Sequence, residues 1–325
     1  MILAGDIGGT HTRLALFASG AAPTAERVFA NRDFGDFAAA LGRFLDDAGR
    51  PRVAAAAIAA AGPVLAGRIR MTNLAWTLDE VELGRALGAP VRVLNDLEAA
   101  AYGVAALTPA DLRTLAPGNP GARGNVAVIA AGTGLGKAIL TYAGDVSIAI
   151  ASEGGHVDFA ARDETEVALL QWLSRSYGHA SAERVVSGPG IMNVFSFLRD
   201  TGRAEVPAPL AERLSAAVEP STVVTAAALA GEFPICVRTL EIFSGAYGAE
   251  AGNLALTVLA LGGVYVAGGI APSVLQGRFA DRFVAAFTAK GRYEELLRGI
   301  PVHVVLSEMA SRVGARAIAE RLAAA

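Results

Sequence analysis

The chain has a single cysteine, Cys236, in 325 residues, which excludes an intramolecular disulfide and any thiolate-rich zinc or iron–sulfur site. A reducing cytoplasmic setting is expected, with Cys236 a small buried apolar residue in a helical stretch. Histidine is also scarce, at four residues, and no His-x₃-His pair is present to found a zinc site. Charged residues make up only 18% of the chain, the net charge is −3, and Lys and Arg are scattered. Without a basic stripe nothing can neutralise a phosphate backbone, so nucleic acid is not an expected partner. The first residues, Met1 to Asp6, carry no basic start and soon meet an acid, which argues against an export signal. A long apolar run is missing too. Leu254 to Leu275 has no charge, but Gly262-Gly263, Gly268-Gly269 and Pro272 interrupt it, and such breakers suit a helix end, a buried strand and a loop better than a membrane span.

Apolar material, by contrast, is ample at 53%, and with roughly 150 residues per domain the length suggests two domains. Short β-type runs alternate with amphipathic helical segments, the pattern of an α/β protein with a largely buried sheet. Ile2 to Ile7 and Thr12 to Ala18 read as two strands around a glycine turn. A helix at Phe34 to Ala48 follows, then strands at Val53 to Ala60 and Arg68 to Thr72, a helix at Asp79 to Leu87, a strand at Val91 to Leu94 and a helix from Leu97. After the Pro/Gly-rich stretch Pro117 to Gly124 the pattern restarts, with strands Asn125 to Ala131 and Lys137 to Tyr142 around a second glycine turn.

In the first turn, Gly5, Asp6 and Ile7 lead into Gly8, Gly9 and Thr10. Glycines let backbone N–H groups approach phosphate oxygens, and a carboxylate at a strand end can hold a metal-bound water beside them. An ordinary hairpin turn would look the same. The second turn, Gly132-Thr133-Gly134-Leu135-Gly136-Lys137, is not a Walker A loop, because Ala131 and Ala138 stand where Gly and Ser/Thr are needed. Nor is it a Rossmann fingerprint, since Lys137 takes the place of the third glycine and a strand follows. Two such turns can grip a nucleotide's phosphates.

Asn95-Asp96 closes a strand directly before an alanine-rich helix. Asp96 can be a helix N-cap, or a base that accepts the proton of an attacking hydroxyl; the two roles are compatible. Glu153-Gly154-Gly155-His156-Val157-Asp158 concentrates acceptors and a donor in one glycine-kinked turn. A metal site on His156 and Asp158 or a plain polar turn are the alternatives to a sugar site, whose hydroxyls each donate and accept. Ala182 to Val185 followed by Ser187-Gly188-Pro189-Gly190 reads as a helix stopped by a glycine–proline break, and Gly268-Gly269 ends a strand where a flat base can lie against bare backbone.

In this order, from Gly-Asp-Ile-Gly-Gly-Thr through Met71-Thr72-Asn73, Leu94-Asn95-Asp96, Gly132 to Gly136, Glu153 to Asp158 and Glu183 to Gly190 to Gly268-Gly269, the segments resemble the bacterial glucokinase family. That family belongs to the larger group sharing the hexokinase, actin and Hsp70 nucleotide-binding fold. The resemblance covers nearly the whole chain. It implies a two-lobed ribonuclease H-like or actin-like α/β fold with a mixed sheet in each lobe and an active-site cleft between lobes. Residues 1–107 plus 306–325 would form the small lobe and 108–305 the large one.

The resemblance further implies ATP and Mg²⁺ as cofactors and glucose as the acceptor, phosphorylated at its 6-hydroxyl. Asn95, Asp96, Glu153, His156 and Glu183 would bind the sugar, with Asp96 the general base. Gly5, Asp6, Ile7, Gly8, Gly9, Thr10, Gly132, Thr133, Gly134 and Gly136 would face the phosphates, with Asp6 reaching Mg²⁺ through water, and Gly268 and Gly269 would border the adenosine. A cytoplasmic homodimer without membrane or nucleic-acid partners is expected. Two positions depart from the family pattern: His11 replaces the usual Asn, and Ser307 to Arg312 lacks an Asn-Pro-Gly. A broader hexose or N-acetylhexosamine kinase of the same fold is the alternative. The cysteine-rich zinc segment usual in ROK-family kinases has no counterpart here, since Cys236 stands alone. A non-enzymatic nucleotide switch would leave the Glu153 to Asp158 cluster without a job.

Overall fold

The computed structural model describes residues 1–18, 22–71, 74–119, 121, 123–307 and 309–325. Thr72 and Asn73 of the Met71-Thr72-Asn73 segment, and Glu308 of the Ser307 to Arg312 segment, lie outside the described residues. In chain order the first elements are β1 (Ile2–Ile7), β2 (His11–Phe17), β3 (Ala25–Ala30), α1 (Phe37–Asp47), β4 (Ala55–Ala60), β5 (Val64–Leu65), β6 (Arg68–Arg70), β7 (Thr77–Asp79), α2 (Glu80–Leu87), β8 (Val91–Asn95) and α3 (Asp96–Val104). There follow β9 (Leu112–Ala116), β10 (Val126–Ala131), β11 (Leu135–Ala143), β12 (Val146–Ser152), α4 (Glu164–Tyr177), α5 (Gly188–Asp200), α6 (Ala208–Ala216), α7 (Pro220–Leu229) and α8 (Pro234–Val258). The chain ends with β13 (Gly263–Ala267), α9 (Ala271–Val274), α10 (Gly277–Thr288), α11 (Glu294–Arg298), β14 (Val302–Val305) and α12 (Ala310–Ala324).

Contacts divide the chain into two units. One comprises Met1–Thr108, Ala138–Ala151 and Ser307–Ala325, the other Pro109–Lys137 and Ser152–Leu306. Residues 138–151, expected in the larger lobe, fall in the first unit. They group with the first unit because β12 is tied to α12, Arg321 donating to the Ser147 carbonyl at 2.9 Å and to its Oγ at 2.6 Å.

Side-chain size alternates along the strands of the first unit, and this decides which helix covers which face. Its sheet has the order β3-β2-β1-β4-β8, with β1 antiparallel to β2 and parallel to β4. Neighbouring side chains on a strand point to opposite faces. Leu3, Ile7, Leu14, Leu16 and Ile58 therefore meet Phe37, Leu41 and Phe44 of α1. Ala4, Ala15, Ala57 and Ala59 meet Ala99 of α3 and Ala315 and Ala319 of α12 on the other side. Small residues on that face let two helix backbones come close. A Cβ on Gly103 of α3 would strike the Ala310 carbonyl, and one on Gly314 of α12 the Ala99 carbonyl.

The second sheet has the order β12-β11-β10-β13-β14-β9, with β10, β13 and β14 parallel. The 25-residue α8 is its central helix. Its Tyr247 is fully buried and makes edge-on ring contacts with Phe243 and Phe283. The uncharged run Leu254 to Leu275 spans the end of α8, β13 and α9. Among the described residues no single helix is long and apolar enough to cross a membrane. Cys236 is buried on α8, and burial pushes its thiol up to about 11.

Two local expectations change. The glycine–proline break after Val185 starts a helix instead of ending one: Ser187 Oγ accepts the Gly190 N–H at 3.0 Å, and Pro189 sits in the first turn of α5, where its missing N–H costs nothing. Ala182–Arg184 is only a 3-10 turn. The second change concerns Asp96. The cap of α3 is Asn95, whose Oδ1 accepts from Leu97 N at 2.9 Å and Glu98 N at 3.2 Å, and Asp96 is the first helical residue.

Candidate active site

In the first unit the Gly8–His11 turn is built on one buried amide. Asn31, 3% exposed, donates through Nδ2 to the Gly8 carbonyl at 2.9 Å and accepts through Oδ1 from Thr12 Oγ1 at 2.8 Å. Its own N–H bonds the Thr10 carbonyl at 2.9 Å, and Gly8 N–H the His11 carbonyl at 2.9 Å. Gly9, Thr10 and His11 are exposed at the tip. Gly5 and Ile7 are buried in β1, so they hold the turn rather than present it. Asp6 lies opposite Arg13 in the β1–β2 ladder, its carboxylate 3.8 Å from the guanidinium. Nothing in the sequence reading pointed to Asn31, because its role depends on a strand returning beside the turn.

Asn95 and Asp96 stand at the C-terminal end of β8, where strand ends of an α/β sheet present ligand-binding groups. Asn95 Nδ2 donates to the Gly62 carbonyl at 3.1 Å, and Ser311 Oγ of α12 donates to the Asp96 carbonyl at 3.1 Å. Glu98, one turn along α3, is pushed above the usual carboxylate range by burial. A carboxylate at the first helical residue is favoured by the helix dipole.

The second unit brings together groups far apart in sequence. Val157 to Phe159 pairs with Ala180 to Ala182: Ala182 N–H bonds the Val157 carbonyl at 2.8 Å and Phe159 N–H the Ala180 carbonyl at 2.9 Å. That pairing sets His156 beside Glu183, with Nδ1 and Oε1 3.9 Å apart. The other carboxylate oxygen of Glu183 accepts the Leu135 N–H at 2.9 Å, inside the second glycine turn. Glycine is required at Gly155, and at Gly134 it leaves room for the Glu183 carboxylate. A Cβ on Gly134 would come within 2.6 Å of Glu183 Oε2, and one on Gly155 would strike the Leu135 carbonyl. Glu153 and His156 are exposed around the 3-10 turn Gly154–His156. Asp158 leaves the cluster and pairs with His179 at 2.9 Å. Among the described residues no three His, Cys, Asp or Glu gather as a metal site.

Beside this turn lies a cavity of about 710 Å³, lined by Gly132 and Thr133 of the turn, Gly188 and Pro189 of α5, Gly269 and Ile270, and the α7 segment Val218 to Leu229. Its size suits a nucleoside-sized ligand. Gly268 has φ +83°, and a Cβ there would strike the Ala131 carbonyl, so the backbone at this strand end can turn only as glycine. Tyr247 holds both strand ends at once. Its hydroxyl accepts the Ala131 N–H at 3.1 Å and lies 3.3 Å from the Ala267 carbonyl, the residues just before Gly132 and Gly268. Burial raises the Tyr247 pKa, which keeps the hydroxyl protonated. Neither Tyr247 nor the α7 wall was named from sequence. The near-uniform apolar helices carry no polar signature.

A sequence model of the glucokinase family matches residues 3–322. A glucokinase of Nostoc punctiforme is 39% identical over 339 aligned positions that span 99% of each chain. The crystal structure of a glucokinase from an Antarctic psychrotroph superposes with a TM-score of 0.86 at 31% identity, covering 98% of both chains. A ROK-family glucokinase of Streptomyces griseus, solved with glucose and AMPPNP, shares the fold at 20% identity and a TM-score of 0.65, over 98% of this chain and 99% of its own. The two glycine turns, the Asn95-Asp96 strand end and the Glu183 junction thus sit in a chain that matches its relatives from end to end: it belongs to the glucokinase family.

Proposed function

We propose that this protein transfers the γ-phosphoryl group of ATP to the 6-hydroxyl of glucose, giving glucose 6-phosphate and ADP. The observation that carries the reading is Glu183, which bonds the glycine turn through Leu135 N–H and stands beside His156 with its other oxygen. One carboxylate thereby joins a phosphate-type turn, next to a nucleoside-sized cavity, to a donor–acceptor cluster suited to ring hydroxyls. Glu153, His156 and Glu183 bind the sugar together with Asn95 and Asp96. Gly8 to Thr10, at the end of the strand in which Gly5 and Ile7 are buried, and Gly132 to Gly136 serve the phosphates, with Asp6 beside them, and Gly268-Gly269 borders the adenosine.

Asp96 is the general base: its carboxylate accepts the hydroxyl proton as that oxygen bonds to the γ-phosphorus and the β,γ-bridging oxygen leaves with ADP. Because Asn95 caps α3, the fold does not call on the Asp96 side chain to start the helix. ATP is taken as its Mg²⁺ complex. A single carboxylate, Asp6, with no all-protein cage among the described residues, fits a cation held mainly by phosphate and water oxygens; bound there, Mg²⁺ would neutralise phosphate charge. We place the enzyme in the cytoplasm as a homodimer. A coupled assay across glucose, 2-deoxyglucose, mannose and N-acetylglucosamine, with ATP, ADP and polyphosphate as donors, tests the reading. Comparable kcat/KM on all four sugars would replace it with a broad hexose kinase, and no sugar-stimulated ATP turnover would overturn it.

A further inference from the structure

Lys137 follows the second glycine turn directly, in a Gly-Leu-Gly-Lys order that suggests a phosphate-binding lysine. The structure turns it the other way. Its side chain is 5% exposed and is ion-paired with Glu250 of α8, itself 9% exposed. Glu250 is held in turn: its Oε2 accepts from Asn253 Nδ2 at 2.8 Å, Asn253 Oδ1 accepts from Lys290 Nζ at 2.6 Å, and Lys290 also donates to the Ala249 carbonyl at 2.9 Å. On its way to Glu250 the Lys137 stem passes under the turn that carries Glu153 and His156. A Cβ on Gly154 would stand 2.9 Å from Lys137 Cδ and 3.6 Å from Nζ. Gly154 N–H is meanwhile fixed to Ser152 Oγ at 3.0 Å.

We propose that Lys137 is a positioning residue for glucose and not a phosphate ligand: anchored by Glu250, its methylene stem is the floor on which the Glu153–His156 turn rests. The proposal rests on the sugar-binding role given to that turn above. A buried ion pair can be replaced by apolar residues of similar volume with little loss, whereas removing one partner strands the other charge. The role of the stem and the role of the charge are therefore separable.

The experiment is calorimetric titration of glucose and, separately, of ADP into Lys137→Met, Glu250→Met and the double variant. Each single variant removes one half of the buried ion pair and shifts the floor. Because losing a hydrogen bond to a charged group costs roughly tenfold or more in binding, glucose affinity should fall ~10-fold or more while ADP affinity holds. The double variant, with a stem of similar volume and both members of the ion pair gone, leaves Lys290 its bonds to Asn253 Oδ1 and the Ala249 carbonyl and should recover most of the glucose affinity. Loss of ADP affinity in Lys137→Met, a double variant as weak as the singles, or unchanged glucose binding throughout overturns the proposal. Should the singles fail to fold, Gly154→Ala keeps both charges and lifts the turn off the stem; it should weaken glucose and spare ADP, and unaltered glucose binding by it overturns the proposal equally. Failure of the unaltered protein to bind glucose would instead strike the proposed function, and this inference with it.

Discussion

Glu183 Oε2 accepts the Leu135 backbone N–H at 2.9 Å across 48 positions of sequence. The bond makes the His156–Glu183 pair and the glycine turn one mechanical object, because the same carboxylate faces His156. Hydrogen bonds to charged groups are worth about 1.5–3 kcal/mol, so Glu183→Ala should raise the glucose KM by roughly tenfold or more and the ATP KM along with it. Glu183→Gln still offers Leu135 an acceptor. It should return the ATP KM toward the original value while glucose binding stays impaired. Steady-state kinetics with both substrates varied checks this, and an ATP KM untouched by Glu183→Ala would break the link.

Asp96→Asn should lower kcat by about 10²- to 10⁴-fold, the range for loss of a general base, and leave glucose affinity largely in place. Asn95→Ala has a different signature. It removes the acceptor of two backbone N–H groups, costs about 1 kcal/mol of stability, and raises the glucose KM. Thermal unfolding and kinetics of the pair separate the base from the cap, and a substantial turnover in Asp96→Asn would remove residue 96 from the chemistry.

Tyr247→Phe deletes one oxygen that bonds the ends of β10 and β13. The Ala131 N–H is left buried without its acceptor, at a cost of about 1–3 kcal/mol. Stability should fall by that amount, and nucleotide affinity should weaken more than glucose affinity, since Gly132 and Gly268 follow the two strand ends. Equal effects on both ligands would reduce Tyr247 to a packing residue.

Ala226 lines the 710 Å³ cavity from α7 and is exposed there. Ala226→Trp fills the space and should raise the ATP KM more than tenfold with glucose binding unchanged, because a blocked pocket loses the apolar contacts that hold a base. Fluorescence titration with a nucleotide and calorimetry with glucose read the two arms. Unimpaired ATP use would place the nucleoside elsewhere.

His303 on β14 is held below its ordinary value of 6.5 by burial, with Nδ1 3.0 Å from Thr114 Oγ1. The native state therefore binds fewer protons than the unfolded chain when pH drops below 6.5. Its contribution to stability is fully present above that pH and is lost as pH falls through the lower, folded-state value. Denaturant midpoints between pH 7 and 5 should fall less steeply in His303→Gln than in the parent; parallel pH profiles would count against it.

Much of the fold is written in local order. The large–small alternation of Leu3-Ala4 and Leu14-Ala15-Leu16 sorts the two faces of the first sheet, and both glycine turns fall between strands as their spacing suggested. The helix boundary at Gly188-Pro189 was misread because a Gly-Pro pair is punctuation at either end of a helix. Only the Ser187 side chain, folded back onto Gly190 N–H, decides which. The two roles open to Asp96 in sequence, cap or base, are separated by the backbone: Asn95, extended at φ −62° and ψ 146°, takes the cap position.

The sequence by itself determined the strand pairs that flank both bare glycine turns and the helices at Phe37–Asp47 and Glu80–Leu87, because side-chain period and backbone freedom act over a few residues. Tertiary structure alone decided that Asn31 props the first turn, that Tyr247 joins two strand ends, that α7 walls the 710 Å³ cavity, and that Lys137 runs into the core to Glu250. Each of these contacts joins segments that ordinary spacing leaves unrelated. They form only when burial of the whole core brings those segments together.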